Sequence, residues 1–128
     1  MIVLDENISE EQRQVLVRWR MRVGQIGHDI GRKGMQDENQ IIPLLRNLPS
    51  PTFVTRDSDF WNQQLCHSDY CLVSLDLIHD EVALFVRRAL RHPLLNTKRK
   101  RMGRIVEISH IGLRIATSRD APIFSPWE

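Results

Sequence analysis

Short apolar runs that alternate with amphipathic stretches are the feature that most constrains this chain. Ile2-Val3-Leu4 is apolar, partly β-branched, and breaks off at Asp5-Glu6-Asn7, the pattern of a buried strand ending in a polar turn. Ser9 and Gln12 then make a capping-box pattern with Glu10 and Glu11 in the first turn. Val15, Leu16 and Trp19 supply an apolar stripe, and the spacing predicts a helix over about 10–22. Val23 to Ile30, punctuated by glycine, has room for a short second strand, and Gly31 to Gln36 reads as a loop. Asp37, with Gln40 three residues on, opens a second helix whose inward face is Ile41, Ile42, Leu44, Leu45 and Leu48. Pro43 fits there only near the helix start, and Pro49-Ser50-Pro51 ends the element. Thr52 to Thr55 is a third strand, stopping at Arg56-Asp57-Ser58-Asp59-Phe60-Trp61, which should open a short helix. Cys71 to Leu75 is a fourth strand, and Asp80 to Arg91 a third long helix closed by Pro93. Arg104 to Ser109 and Leu113 to Thr117 alternate as a hairpin around His110-Ile111-Gly112.

Strand and helix thus alternate four times. That calls for an α/β fold: a mostly parallel sheet flanked by helices on both faces, three layers in all, with the C-terminal hairpin at an edge. A chain of 128 residues is long enough to bury its own core and is expected to form one domain over 1–128. No apolar stretch nears the length that spans a bilayer, and Met1 to Ser9 has neither the basic start nor the apolar run of a secretory signal. With only Cys66 and Cys71, no disulfide framework is expected, so the expected setting is the cytoplasm.

A net charge of +2 does not by itself imply a polyanionic partner, but the charges are unevenly placed. Lys98, Arg99, Lys100, Arg101 and Arg104 form a dense basic segment, with Arg87, Arg88 and Arg91 upstream. Mobile solvated charge and phosphate binding both account for such a run. An acidic site beside a basic strip is the expected arrangement for holding a metal and a polyanion together.

In open α/β sheets ligands bind outside the carboxyl ends of the strands. Asp5 ends the first strand, Asp37 begins the helix after the second, and Asp57 and Asp59 follow the third. Taken singly, Asp37 is explained as an N-cap, Asp57 as the cap of the helix beginning at Ser58, and Asp5 as the acceptor of a polar turn. Together on one edge they would repel one another unless a cation lay between them. Hard oxygen ligands select Mg²⁺ or Mn²⁺, which can activate water and stabilise the leaving oxygen of a phosphodiester.

Five motifs carry a resemblance. Val3-Leu4-Asp5-Glu6-Asn7 resembles the LLDEN opening of the VapC-related PIN-like toxins. Gly27-His28-Asp29-Ile30 resembles their GHDV, and Gly34-Met35-Gln36-Asp37-Glu38 their G-x-x-D-E. Val54-Thr55-Arg56-Asp57-Ser58-Asp59-Phe60 is similar to their VTRDxDF, and Gly103 to Ile108 with Leu113-Arg114-Ile115 to their closing hairpin. The resemblance implies a PIN-like fold and metal-dependent cleavage of RNA. It also implies a role as the toxin of a type II toxin–antitoxin pair, with a small antitoxin protein or a second copy of the chain as partner. It matches Asp5, Asp37 and Asp57 to the family's metal-binding acids and Asp59 to a fourth, with Mg²⁺ or Mn²⁺ as the metal. Thr55 would orient a carboxylate or metal-bound water through its hydroxyl. Many relatives end the fourth strand in an arginine. Here it ends Ser74-Leu75-Asp76, so substrate contact would pass to Arg56 or another arginine, the basic segment Lys98, Arg99, Lys100, Arg101 and Arg104 included. The alternative, from a different class, is a PIN-like module that binds RNA or protein without catalysis.

Other signals are weaker. Cys66, His67, Asp69 and Cys71 have a C-x₄-C spacing with no second ligand pair, which does not match structural zinc sites. Phe60 and Trp61 are expected to pack the short helix on the sheet, Trp61 alternatively stacking on a base. Ile123, Phe124 and Trp127 near the end either cover a partner or fold back on the domain.

Overall fold

The computed structural model describes residues 1–35 and 37–127. Gln36, within the expected loop and third motif, lies outside the described residues. The strands are β1 (Ile2–Leu4), β2 (Val23–Gln25), β3 (Thr52–Thr55), β4 (Cys71–Leu75), β5 (Ile105–Ile108), β6 (Gly112–Ala116) and β7 (Ile123–Pro126). They form one seven-stranded sheet in the order β2-β1-β3-β4-β5-β6-β7. The first five strands run parallel; β6 and β7 are antiparallel to their neighbours. Among the described residues four α-helices accompany them: α1 (Glu10–Arg18), α2 (Glu38–Arg46), α3 (Val82–Leu90) and the single turn α4 (Lys98–Arg101).

Alternation along the strands divides the apolar side chains between two faces. Val3, Phe53, Leu72 and Ile105 point to one, where Ile41 and Leu45 of α2 and Phe60 close over them. Leu4, Val54, Val73 and Val106 point to the other, against Leu16 of α1 and Val82, Phe85, Val86 and Ala89 of α3. The two cores make the layered α/β architecture that the alternation calls for. No helix among the described residues is long and apolar enough to cross a membrane.

The element limits differ from expectation for identifiable reasons. α1 stops at Arg18 because Arg20 takes a left-handed φ of 61°, turning the chain into β2. Pro43 lies in the sixth position of α2. Its ring faces solvent, where the Asn39 carbonyl that loses an N–H partner can be hydrated. The tail after β6 was open to two readings and folds back as β7, so the hairpin is flanked by a further strand at the sheet edge. Pro126 is tolerated in that edge strand, and the Trp127 indole N–H donates to the Ser109 carbonyl at 2.8 Å. Ile123 and Phe124 stay about half exposed, at 54% and 50%.

Helix α3 borrows a cap. Glu81, which flanks it, makes no side-chain cap bond. Instead Gln12, buried on α1, accepts the Ala83 N–H at 2.8 Å. Without that acceptor an N–H at the sealed α1–α3 contact has no partner, at a cost of about 1–3 kcal/mol. Gln12→Ala is therefore expected to lower the urea midpoint by that amount of stability with an unchanged slope. A midpoint equal to wild type would show that water replaces the cap.

Candidate functional site

β1 lies between β2 and β3, so the connections leave it in opposite directions and the gap between β1 and β3 is the topological switch point of the sheet. Both strands end there in polar residues that are nonetheless buried: Asp5, 6% exposed, and Thr55, fully enclosed. The Thr55 hydroxyl donates to Asp5 Oδ2 at 2.7 Å, and its oxygen accepts the Asp57 N–H at 3.0 Å. The hydroxyl thus has a fixed direction, and Asp57 is held one turn beyond it. Asp5 Oδ1 is buried and has no hydrogen-bond partner. A cavity of about 330 Å³ opens here, lined by Asp5, Asn7, Ile8, Arg56 and Asp57. Burial pushes the Asp5 carboxyl above the usual carboxylate range; the Thr55 and Glu6 hydrogen bonds oppose this, and the charges of Asp57 and Glu6 add to it.

The loop that carries Asp5 is pinned by a residue the sequence reading passed over. Gln25, wholly buried at the end of β2, donates its carboxamide to the carbonyls of Asp5 at 3.0 Å and Ile8 at 2.8 Å. A glutamine closing a short, glycine-bearing strand gives little warning of this; only its neighbourhood to β1 does. The motif residues around it are also used structurally. Asp29 Oδ1 accepts the Gln25 N–H at 2.7 Å, and the Glu6 carboxylate accepts the Gly34 N–H at 2.8 Å. Gly27 passes so close that a Cβ there would lie 2.7 Å from Glu6 Oε2, and its φ of 86° suits glycine alone.

The expected four-acid cluster is only partly assembled. Asp5 and Asp57 line one cavity. Asp59 lines a different one of about 660 Å³, with Glu38, Trp61 and Asn62. Asp37 is exposed and caps α2, accepting the Asn39 N–H at 2.8 Å; Asp57 likewise caps the turn at Ser58–Phe60 through the Asp59 N–H at 2.9 Å. Among the described residues no three His, Cys, Asp or Glu side chains come close enough to share a metal. The Cys66–Cys71 segment is no exception: burial pushes the Cys71 thiol up to about 12.

The basic segment is displaced from the acids. Arg101 donates to the Thr52 hydroxyl at 3.1 Å, at the start of β3, whereas Thr55 ends that strand. At ~3.3 Å per residue the segment is about 10 Å away along the strand, on the opposite edge of the sheet. Part of it is structural: Arg101 and Arg104 bind the carbonyls of Leu95 and Leu94 at 2.9 and 3.0 Å, and Lys100 that of Pro93 at 2.8 Å. Lys98 and Arg99 are exposed. The arginine at the acidic cavity is Arg56, whose Nε donates to the Leu77 carbonyl at 3.1 Å beside His79. Phe60 is packed against Phe53 with ring centroids 5.1 Å apart, while Trp61 is partly buried beneath the Arg114 guanidinium at 4.8 Å.

The molecule is therefore an open α/β sheet protein with a buried carboxylate at its switch point. Comparison with models of known families, with curated proteins and with solved structures finds no match.

The raised Asp5 carboxyl has a direction in pH. The folded state keeps that proton to higher pH than the unfolded chain, so the favourable contribution is complete below the unfolded range and is lost as pH rises through the folded value. Asparagine does not titrate. Asp5→Asn is expected to raise the melting temperature near neutral pH, the gain shrinking as pH falls through the raised folded value and gone below about 4, where both proteins are uncharged at this position. Melts of the two proteins across that range test it; a gain independent of pH contradicts the burial account.

Proposed function

We propose that this chain is a PIN-like, Mg²⁺- or Mn²⁺-dependent endoribonuclease acting as the toxin of a toxin–antitoxin pair, with a small antitoxin protein as its partner. One observation carries the reading: Asp5 presents a buried, unpartnered carboxylate oxygen beside Asp57 in a cavity at the sheet's switch point. A cation is the group that best relieves such an oxygen, and a hard divalent ion suits a pair of carboxylates. Asp5 and Asp57 would hold it, and when bound it would supply an activated water and stabilise the leaving oxygen of the phosphodiester.

The chain's own residues have separate tasks in this reading. Thr55 occupies Asp5 Oδ2, which leaves Oδ1 as the ligand and fixes the carboxylate rotamer. Gln25 holds the Asp5–Ile8 backbone against the pull of a bound ion. Arg56 lines the same cavity, and its remaining guanidinium N–H groups suit a phosphate, the task that an arginine at the end of β4 would otherwise perform. Asp37, the cap of α2, and Asp59, in the turn that Asp57 caps, add negative charge on the same edge that draws the cation in.

A second reading, a PIN-like module that binds RNA or protein without cutting, is favoured by the lack of a third carboxylate at the Asp5–Asp57 pair among the described residues. Two measurements separate them. Millimolar Mg²⁺ or Mn²⁺ is expected to raise the melting temperature of wild type and not that of Asp5→Asn, since only the former has the ligand. Asp5→Asn is also expected to lower RNA cleavage by about a thousandfold or more while leaving RNA binding intact. A wild type that cuts no RNA with either metal, yet binds it as the variant does, establishes the binding module.

A further inference from the structure

The outer face of α3 bears three arginines, Arg87, Arg88 and Arg91, brought together by helical spacing. Arg87 lies over the Trp19 indole, its guanidinium carbon 3.6 Å from the ring centroid. Arg88 does the same over Trp127 at 4.3 Å. Trp19 comes from the end of α1 and Trp127 from beyond β7, so the two indoles bracket α3 from either side. A cavity of about 290 Å³ lies on one flank, lined by Trp19, Met21, Arg87, Leu90 and Arg91. Another, of about 340 Å³, lies on the other, lined by Leu84, Arg87, Arg88, Arg91, His92 and Trp127. Arg87 and Arg91 border both.

Among the described residues no carboxylate lines either cavity, and none of the three arginines makes an ion pair. Cations near a helix C-terminus complement its dipole, which accounts for positive charge there but not for indoles beneath two of the guanidinium groups. The indole contacts anchor the Arg87 and Arg88 guanidinium groups and leave their N–H groups available to a phosphate. Alternating cationic edges and aromatic planes around shallow hollows fit a strand of unpaired bases. A duplex keeps its base faces stacked inside, and a lipid surface would want more exposed apolar area than Leu84 offers.

We propose that this α3 face binds single-stranded RNA, phosphates lying on Arg87, Arg88 and Arg91 and bases entering the hollows beside Trp19 and Trp127. The site is separate from the Asp5 cavity and does not depend on whether that cavity cuts anything.

The test is fluorescence anisotropy of a labelled oligoadenylate of about twelve nucleotides, titrated with the full chain in EDTA at several salt concentrations. In the variant carrying R87Q, R88Q and R91Q the affinity is expected to fall, and the slope of log affinity against log salt to flatten by about 2, at ~0.7 for each lost phosphate contact. The variant carrying R87K, R88K and R91K keeps the charge and guards against misfolding as the explanation. It is expected to keep most of the slope yet bind more weakly, because lysine cannot stack as a plane. The variant carrying K98A and R99A, on the α4 turn, is expected to bind more nearly as wild type does. Tryptophan emission of wild type should be quenched by the oligonucleotide. Unchanged affinity in the glutamine variant, loss confined to the α4 variant, or preference for duplex RNA or anionic vesicles would each overturn the proposal. Binding that needs Arg87, Arg88 and Arg91 in a protein that cuts nothing with metal would sustain it and defeat only the nuclease reading.

Discussion

The hydrogen bond from Thr55 to Asp5 joins the ends of β1 and β3, and much of the acidic edge is arranged around it. A buried ionised carboxylate costs several kcal/mol, whereas a hydrogen bond to a charged group returns roughly 1.5–3 kcal/mol. One hydroxyl therefore leaves Asp5 short of full compensation, in keeping with its raised carboxyl and its unpartnered Oδ1. The surrounding structure tolerates this because Gln25 holds the backbone on one side and Thr55 holds the side chain on the other. A proton or a cation is what such a carboxylate lacks, and that need makes this position chemically distinct from the solvated acids near it.

The separation of acids and bases across the sheet has a simpler cause. In a parallel α/β fold each helix returns against its strand, so α1, α2 and α3 all begin at the edge where Asp5 lies. Acids sit in their first turns or just before them: Glu10 and Glu11 on α1, Glu38 on α2, Asp80 and Glu81 ahead of α3. Bases sit in their last turns: Arg18, Arg46, Arg87 and Arg88. Each placement complements a helix dipole, and repetition of one handed unit adds them into opposite charges on opposite edges. A basic strip beside the acids is therefore not what this topology makes. Any polyanion held on the basic edge reaches the carboxylates across the body of the molecule, unless Arg56 alone receives it.

The strands were legible because their limits are written locally. Thr52–Thr55 and Cys71–Leu75 are apolar runs bounded by proline or polar turns, and buried parallel strands need little else. The starts of α1 and α2 were legible through their caps: Ser9 accepts the Gln12 N–H at 3.3 Å and Asp37 the Asn39 N–H at 2.8 Å, as their sequence positions imply. β7 was not, since Ile123-Phe124-Ser125-Pro126 carries a proline and a half-polar pattern, and pairing with β6 is what makes it a strand.

Of the site, the chain by itself determined which acids stand at strand ends and helix starts, because strand–helix alternation assigns those positions to one edge. It did not determine which of them meet. Asp37 turns to a nearby backbone amide as a short-range cap and Asp59 lines a different cavity, while Asp5 and Asp57 adjoin through Thr55, fifty residues from Asp5 in sequence. The contributions of Gln25, Gln12, and the Arg87–Trp19 and Arg88–Trp127 stacks were likewise decided only by the fold. Each joins segments remote in sequence, and a side chain's partners follow from packing distance, which local pattern does not encode.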